Sequence, residues 1–84
     1  MNNINEYYRQ NRAAAQAVLN AWEQINASPI NVEAFLEADI PADVKDRVEA
    51  VTGFGRSVCG VPARRYQLAQ AQILIEIANA RMAI

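Results

Sequence analysis

A chain of 84 residues with one cysteine, Cys59, and no histidine excludes an internal disulfide and an ordinary zinc site. A formal charge of −1 gives no overall bias toward nucleic acid or acidic lipid. The chain is 52% hydrophobic but only 7% aromatic, with three glycines and three prolines, which excludes a fold of short strands and tight turns and favours helix.

The first helix is expected from about Ile4 to Asn26, with Asn3 as N-cap and Glu6 as its capping-box partner. Ile4, Asn11, Val18 and Ile25 recur every seven residues, Tyr7, Ala14 and Ala21 fill a second seam position, and Tyr8, Ala15 and Trp22 lie beside them. This is a coiled-coil-like stripe on a helix roughly 34 Å long at 1.5 Å per residue. Asn11 stands out as a polar residue in that seam, where it fixes register or else marks a solvated edge. Ser28-Pro29 ends the helix, because a residue before proline avoids helical torsions.

Asn31 caps a short second helix, Val32 to Ala38, whose apolar face is Val32, Phe35 and Leu36. A third helix opens on Pro41 and runs to Thr52, with Val44, Val48 and Val51 on its buried side. Gly53 serves as the left-handed stop. The stretch Gly53 to Val61 reads as a loop, and Pro62 starts a last helix that reaches about Ala83. The expected fold is therefore all-α: a small bundle of three to four helices in a single domain, residues 1–84. Its parts are a long N-terminal helix, two short middle helices and a long C-terminal helix.

The last helix has two apolar faces. At 100° per residue, Tyr66, Ala69, Ile73, Ile77, Ala80 and Ile84 fall on one side. Leu68, Ala71, Ile75, Ala78 and Met82 fall nearly opposite, with Leu74 at the margin. Strips of Gln67, Gln70 and Arg81, and of Gln72, Glu76 and Asn79, separate them. A helix on the surface of a monomer needs one apolar stripe. A chain this short buries roughly 60–65% of its unfolded surface, and small scaffolds without disulfide or metal often oligomerise. Either the helix lies in the middle of its own domain, or, as expected here, the second face packs on another copy, with small residues such as Ala69, Ala71, Ala78 and Ala80 permitting close approach. Candidate interface residues are Tyr7, Tyr8, Asn11, Leu68, Ile75 and Met82. Trp22 is expected in the core.

Charge is segregated. From Asn31 to Glu49 six acids face only Lys45 and Arg47, a net of −4, whereas Ala50 to Tyr66 holds Arg56, Arg64 and Arg65 and no acid, a net of +3. Charge runs of this kind are usually solvated helix faces, the alternative being an acidic surface that docks on a basic partner. Gly53, Phe54, Gly55, Arg56 and Ser57, with Arg64 and Arg65 at the start of the last helix, form a candidate site for a phosphorylated small molecule or nucleotide. Glycine lets backbone amides approach an anion, and the guanidinium groups supply bidentate donors. The spacing matches neither the dinucleotide nor the Walker fingerprint, and a helix stop followed by a helix start explains the same glycines.

No catalytic residues, cofactor or metal are assigned. Ser57 and Cys59 lack a histidine base, and the acids lie on a helix read as exposed. No basic leader precedes an apolar stretch at the N-terminus, and no apolar run approaches the ~20 residues of a membrane span. A cytoplasmic protein without membrane contact is expected, its free cysteine suiting a reducing compartment. The leading functional expectation is a non-catalytic homo-oligomer that binds and inhibits, or tethers, another protein. In size and lack of chemistry it resembles small phage- or plasmid-encoded inhibitors of host or defence proteins, a likeness of type that no motif carries. The alternatives are an oligomeric sponge for a phosphorylated ligand or cyclic nucleotide at residues 53–65, and a weak helix–turn–helix DNA binder. The apolar last helix and the negative net charge argue against nucleic acid.

Overall fold

The computed structural model describes residues 3–26, 29–52 and 63–84. Among them the chain forms five α-helices and no strand: α1 (Ile4–Gln10), α2 (Arg12–Ile25), α3 (Val32–Glu37), α4 (Ala42–Thr52) and α5 (Ala63–Ala83). The Cα radius of gyration is 11.9 Å, close to the roughly 12 Å of a packed chain of this length.

Local chemistry sets the helix ends. The side chain of Asn3 accepts a hydrogen bond from the Glu6 amide at 3.1 Å, and that of Asn31 accepts from the Ala34 amide at 3.1 Å. Each satisfies one of the four free donors at a helix start. Helix α2 stops at Asn26, whose backbone is left-handed (φ 37°, ψ 47°) and whose amide donates to the Trp22 carbonyl. Asparagine tolerates that conformation better than other residues with a side chain.

The expected single N-terminal helix is two helices, which raises the number from three or four to five. The break is at Asn11 (φ −132°, ψ 67°). There the backbone amide turns to the Tyr8 carbonyl at 3.2 Å and the side-chain amide donates to the Tyr7 carbonyl at 2.9 Å. Asparagine competes with helical hydrogen bonding by capping its own backbone, so the seam position becomes a C-cap. Asn11 is exposed. The apolar stripe itself continues across the break: Tyr8, Ala14, Ala15, Val18 and Ala21 are buried, with Ile4, Tyr7, Trp22 and Ile25 packed against them.

Helix α5 is the central element. It packs against α1, α2, α3 and α4. Its inner face buries Ala69, Ile73, Ile77, Ala80 and Ala83 against Tyr8, Val18, Phe35, Val44 and Val48. At ~1.5–3 kcal/mol for each large aliphatic or aromatic side chain removed from water, this face supplies much of the folding energy. Two polar side chains of α5 also hold the start of α3 and the residue pair before it. The Gln70 amide donates to the Ile30 carbonyl at 2.9 Å. The Tyr66 hydroxyl accepts from the Val32 amide at 3.2 Å and donates to Glu33 at 3.1 Å.

Candidate functional site

The buried surface of α5 contains one charge. Glu76 is fully buried, although its sequence position was grouped with Gln72 and Asn79 on a polar strip. The assignment to an edge is corrected by the helix geometry. Glu76 lies about 40° from Ala80 on the helical wheel, well inside the covered arc. Four donors meet its carboxylate. Tyr8 donates its hydroxyl to Oε1 at 2.5 Å, Arg47 donates from Nη2 to Oε1 and from Nε to Oε2 at 2.8 Å each, and Gln72 donates to Oε2 at 2.8 Å.

A buried carboxylate is tolerable only with such pairing and full hydrogen bonding. The guanidinium of Arg47 also lies over the ring of Tyr7, with its central carbon 4.4 Å from the ring centre, and 5.7 Å from that of Tyr8. The two tyrosine rings meet edge to face at 5.0 Å. Burial, followed by the hydrogen bond and charge of Glu76, pushes the Tyr8 hydroxyl well above its ordinary pKa. Burial and the charge of Asp43 raise that of Tyr7. The Glu76 hydrogen bond holds Arg47 charged even more firmly than usual. This cluster joins α1, α4 and α5 and is enclosed by them. It clamps the three helices together, and the carboxylate at its centre is fully buried.

The clamp corrects a second expectation. Tyr8 was a candidate contact anchor, but its ring is fully buried and its hydroxyl is committed to Glu76. Tyr7 is half-buried under Arg47. A tyrosine pair on a helix looks the same in sequence whether it faces a partner or its own core. The available signal was Glu76 itself, the sole acid of α5, flanked by Ile73 and Ile77.

The opposite side of α5 is different. Leu68 is 51% exposed, Leu74 54%, Ile75 46% and Met82 70%. Ala71 and Ala78 between them are also exposed. The structure thus brings Leu68, Ile75 and Met82 together on one strip, and leaves Tyr7, Tyr8 and Asn11 off it. Apart from a 3.7 Å contact from the Asn5 side-chain amide to the sulfur of Met82, the strip consists of apolar groups facing water. Large apolar side chains are tolerated singly at a surface, and a row of them is a candidate for contact with another molecule.

Of the candidate anion site, Gly53, Phe54, Gly55, Arg56 and Ser57 lie outside the described residues. Arg64 and Arg65 are exposed on the first turn of α5. The loop that would join the two helices of a DNA-binding unit is also outside the described residues. A shallow pocket of about 170 Å³ opens elsewhere, lined by Ala17, Asn20, Ala21, Gln24 and Asp39. It is smaller than the roughly 300–1,000 Å³ of ordinary ligand sites. Among the described residues no three metal-ligating side chains converge, and no helix is long and apolar enough to cross a membrane. Comparisons with protein-family models, with curated proteins and with solved structures found no match.

Proposed function

We propose that this is a non-catalytic helical interaction protein that engages another protein chain through the outer face of α5. Self-association is part of that activity, and the biochemical outcome is to block or tether the protein engaged. It works in a reducing compartment such as the cytoplasm, where Cys59 stays a thiol. The observation that carries the reading is the uncovered row Leu68, Leu74, Ile75 and Met82 on a helix whose other face already fills the core. Covering such a row removes apolar surface from water at ~25 cal/mol per Å². No comparable gain is offered by the buried Glu76 clamp, which is already satisfied.

The test is a paired capture. Full-length chain and its Ile75→Asp variant are immobilised side by side, and both are passed over extract of the source cells. The variant's fold is first checked by circular dichroism. The expected result is a protein retained by the parent and lost, at least tenfold, with the variant. Equal retention by both would remove the outer α5 face from consideration.

A further inference from the structure

We infer that the outer face of α5 is built to pair with the α5 of a second copy of this chain, antiparallel, about a two-fold axis that crosses the outer face between Ala71 and Ile75, at the level of Ile73. The inference rests on the protein-binding reading of that face and names its occupant. The strip runs Arg64, Leu68, Ala71, Ile75, Ala78, Met82, with alternating spacings of four and three residues. That spacing is the seam of a two-helix coiled coil. From Leu68 to Met82 size alternates along it. Leu68, Ile75 and Met82 occupy one seam position, and Arg64, Ala71 and Ala78 occupy the other.

The alternation selects an orientation. In a parallel pair each layer sets a residue against its own copy. Ala71 and Ala78 would then face alanine across a gap, and Arg64 would face Arg64 at roughly 10 Å, about one Debye length in physiological salt. In an antiparallel pair the layers are mixed. With the axis near Ile73, Leu68 lies level with Ala78 of the second copy and Ala71 with Ile75 of the second copy. Leu68 and Ile75 then each meet an alanine and Met82 meets the Arg64 side chain, so the strip is complementary to itself, as a two-fold interface requires. Voids in such a seam would forfeit dispersion contacts.

Charge agrees with this arrangement. The two Arg64 side chains separate by about 27 Å along the axis at 1.5 Å per residue. Each comes level with Met82 of the second copy, beside the last turn of that copy's α5, where unpaired carbonyls favour a cation. No acid lies on the strip to oppose or redirect the pairing. One helix face supplies fewer than the roughly 20–30 residues a side of a standard interface. The pair is therefore expected to exchange with monomer in the micromolar range.

Sedimentation equilibrium of the full chain, from low to several hundred micromolar, should show a monomer–dimer equilibrium. The folded Ile75→Asp variant should weaken it at least tenfold. Orientation is read from Arg81→Cys in a Cys59→Ser background, spin-labelled and measured by pulsed electron resonance. An antiparallel pair puts the labelled positions about 24 Å apart along the axis, against roughly 10 Å when parallel. A chain that stays monomeric throughout, a dimer unaffected by Ile75→Asp, or the short distance overturns the inference. A monomeric chain that still retains a cellular protein, and loses it with Ile75→Asp, leaves the protein-binding reading standing with a different occupant. Loss of both effects removes both.

Discussion

Ile73 and Ile75 are two residues apart on the same helix. Ile73 is fully buried and packs in the core, while Ile75 is 46% exposed. The contrast extends to the whole of each face. The inner face of α5 carries aliphatic side chains and one fully desolvated carboxylate. The outer face carries equally aliphatic side chains, with charge only towards its ends, and meets water. Charge is inside and greasy surface is outside, which inverts the ordinary distribution of residue types. A buried ion pair is weak evidence for net stability, because desolvation offsets most of the attraction. It does make the packing of α1, α4 and α5 specific, since few arrangements satisfy Glu76 with four donors. The outer face has no such specificity within one chain, and in the proposed pairing its apolar surface leaves water only on contact with another.

The largest effect expected from breaking this comparison is at Arg47. Arg47→Ala leaves Glu76 buried without its cation and should cost about 3–5 kcal/mol, a large part of the ~5–15 kcal/mol of a small domain. Thermal melts followed by circular dichroism should show a collapse of the transition. The combined replacement Tyr8→Phe, Arg47→Met, Glu76→Leu removes the whole set and should be close to neutral or stabilising. A triple variant no better than Arg47→Ala would show that the clamp stabilises outright.

Ile73→Ala and Ile75→Ala come next and sharpen the contrast with identical chemistry. The first opens a cavity and should cost about 2–5 kcal/mol. The second should stay within about 0.5 kcal/mol when measured at low concentration, where the proposed pair would be dissociated. Equal losses in urea titrations would mean that Ile75 is covered within the single chain.

Tyr8→Phe removes one hydrogen bond to a charged group and should cost about 1.5–3 kcal/mol at neutral pH. It should also change the alkaline limb. The Tyr8 hydroxyl is held above its ordinary value of 10.0 by burial and by Glu76. Its contribution is thus fully present below about pH 10 and is lost as pH rises through the folded value. Above that point the unfolded chain binds fewer protons than the folded one, so stability falls with pH. The parent should lose stability faster than Tyr8→Phe between pH 10 and pH 11 in matched melts, the difference approaching about 1.4 kcal/mol per pH unit. Parallel curves would assign the alkaline loss to other groups. The smallest effect is at the cap of α3, remote from both faces: Asn31→Ala should cost about 1 kcal/mol and leave self-association unchanged in sedimentation.

Much of the helical outline was legible in the residues. Asn3 and Asn31 form side-chain caps where the pattern put them, and α3, α4 and α5 fall within a residue or so of the expected bounds. Capping and proline effects act over three or four residues, so a local window contains their causes. The two faces of α5 were legible for the same reason, since a wheel needs only the helix itself. Asn11 stood out as a polar residue in the seam, but the break there was hidden because the heptad spacing continues on both sides of it. The candidate anion site at Gly53–Ser57 falls outside the described residues.

By itself, then, the sequence determined where helices begin and end and that α5 is apolar on both sides. Those properties depend on spacing and on neighbours along the chain. Only tertiary structure decided which face of α5 turns inward, that Tyr8 is core, and that Glu76 is buried. Each of those outcomes depends on donors and apolar surface brought from distant segments: Tyr8 lies 68 residues from its carboxylate partner and Arg47 lies 29. A carboxylate can enter a core only if its partners arrive with it, and no local pattern reports their arrival.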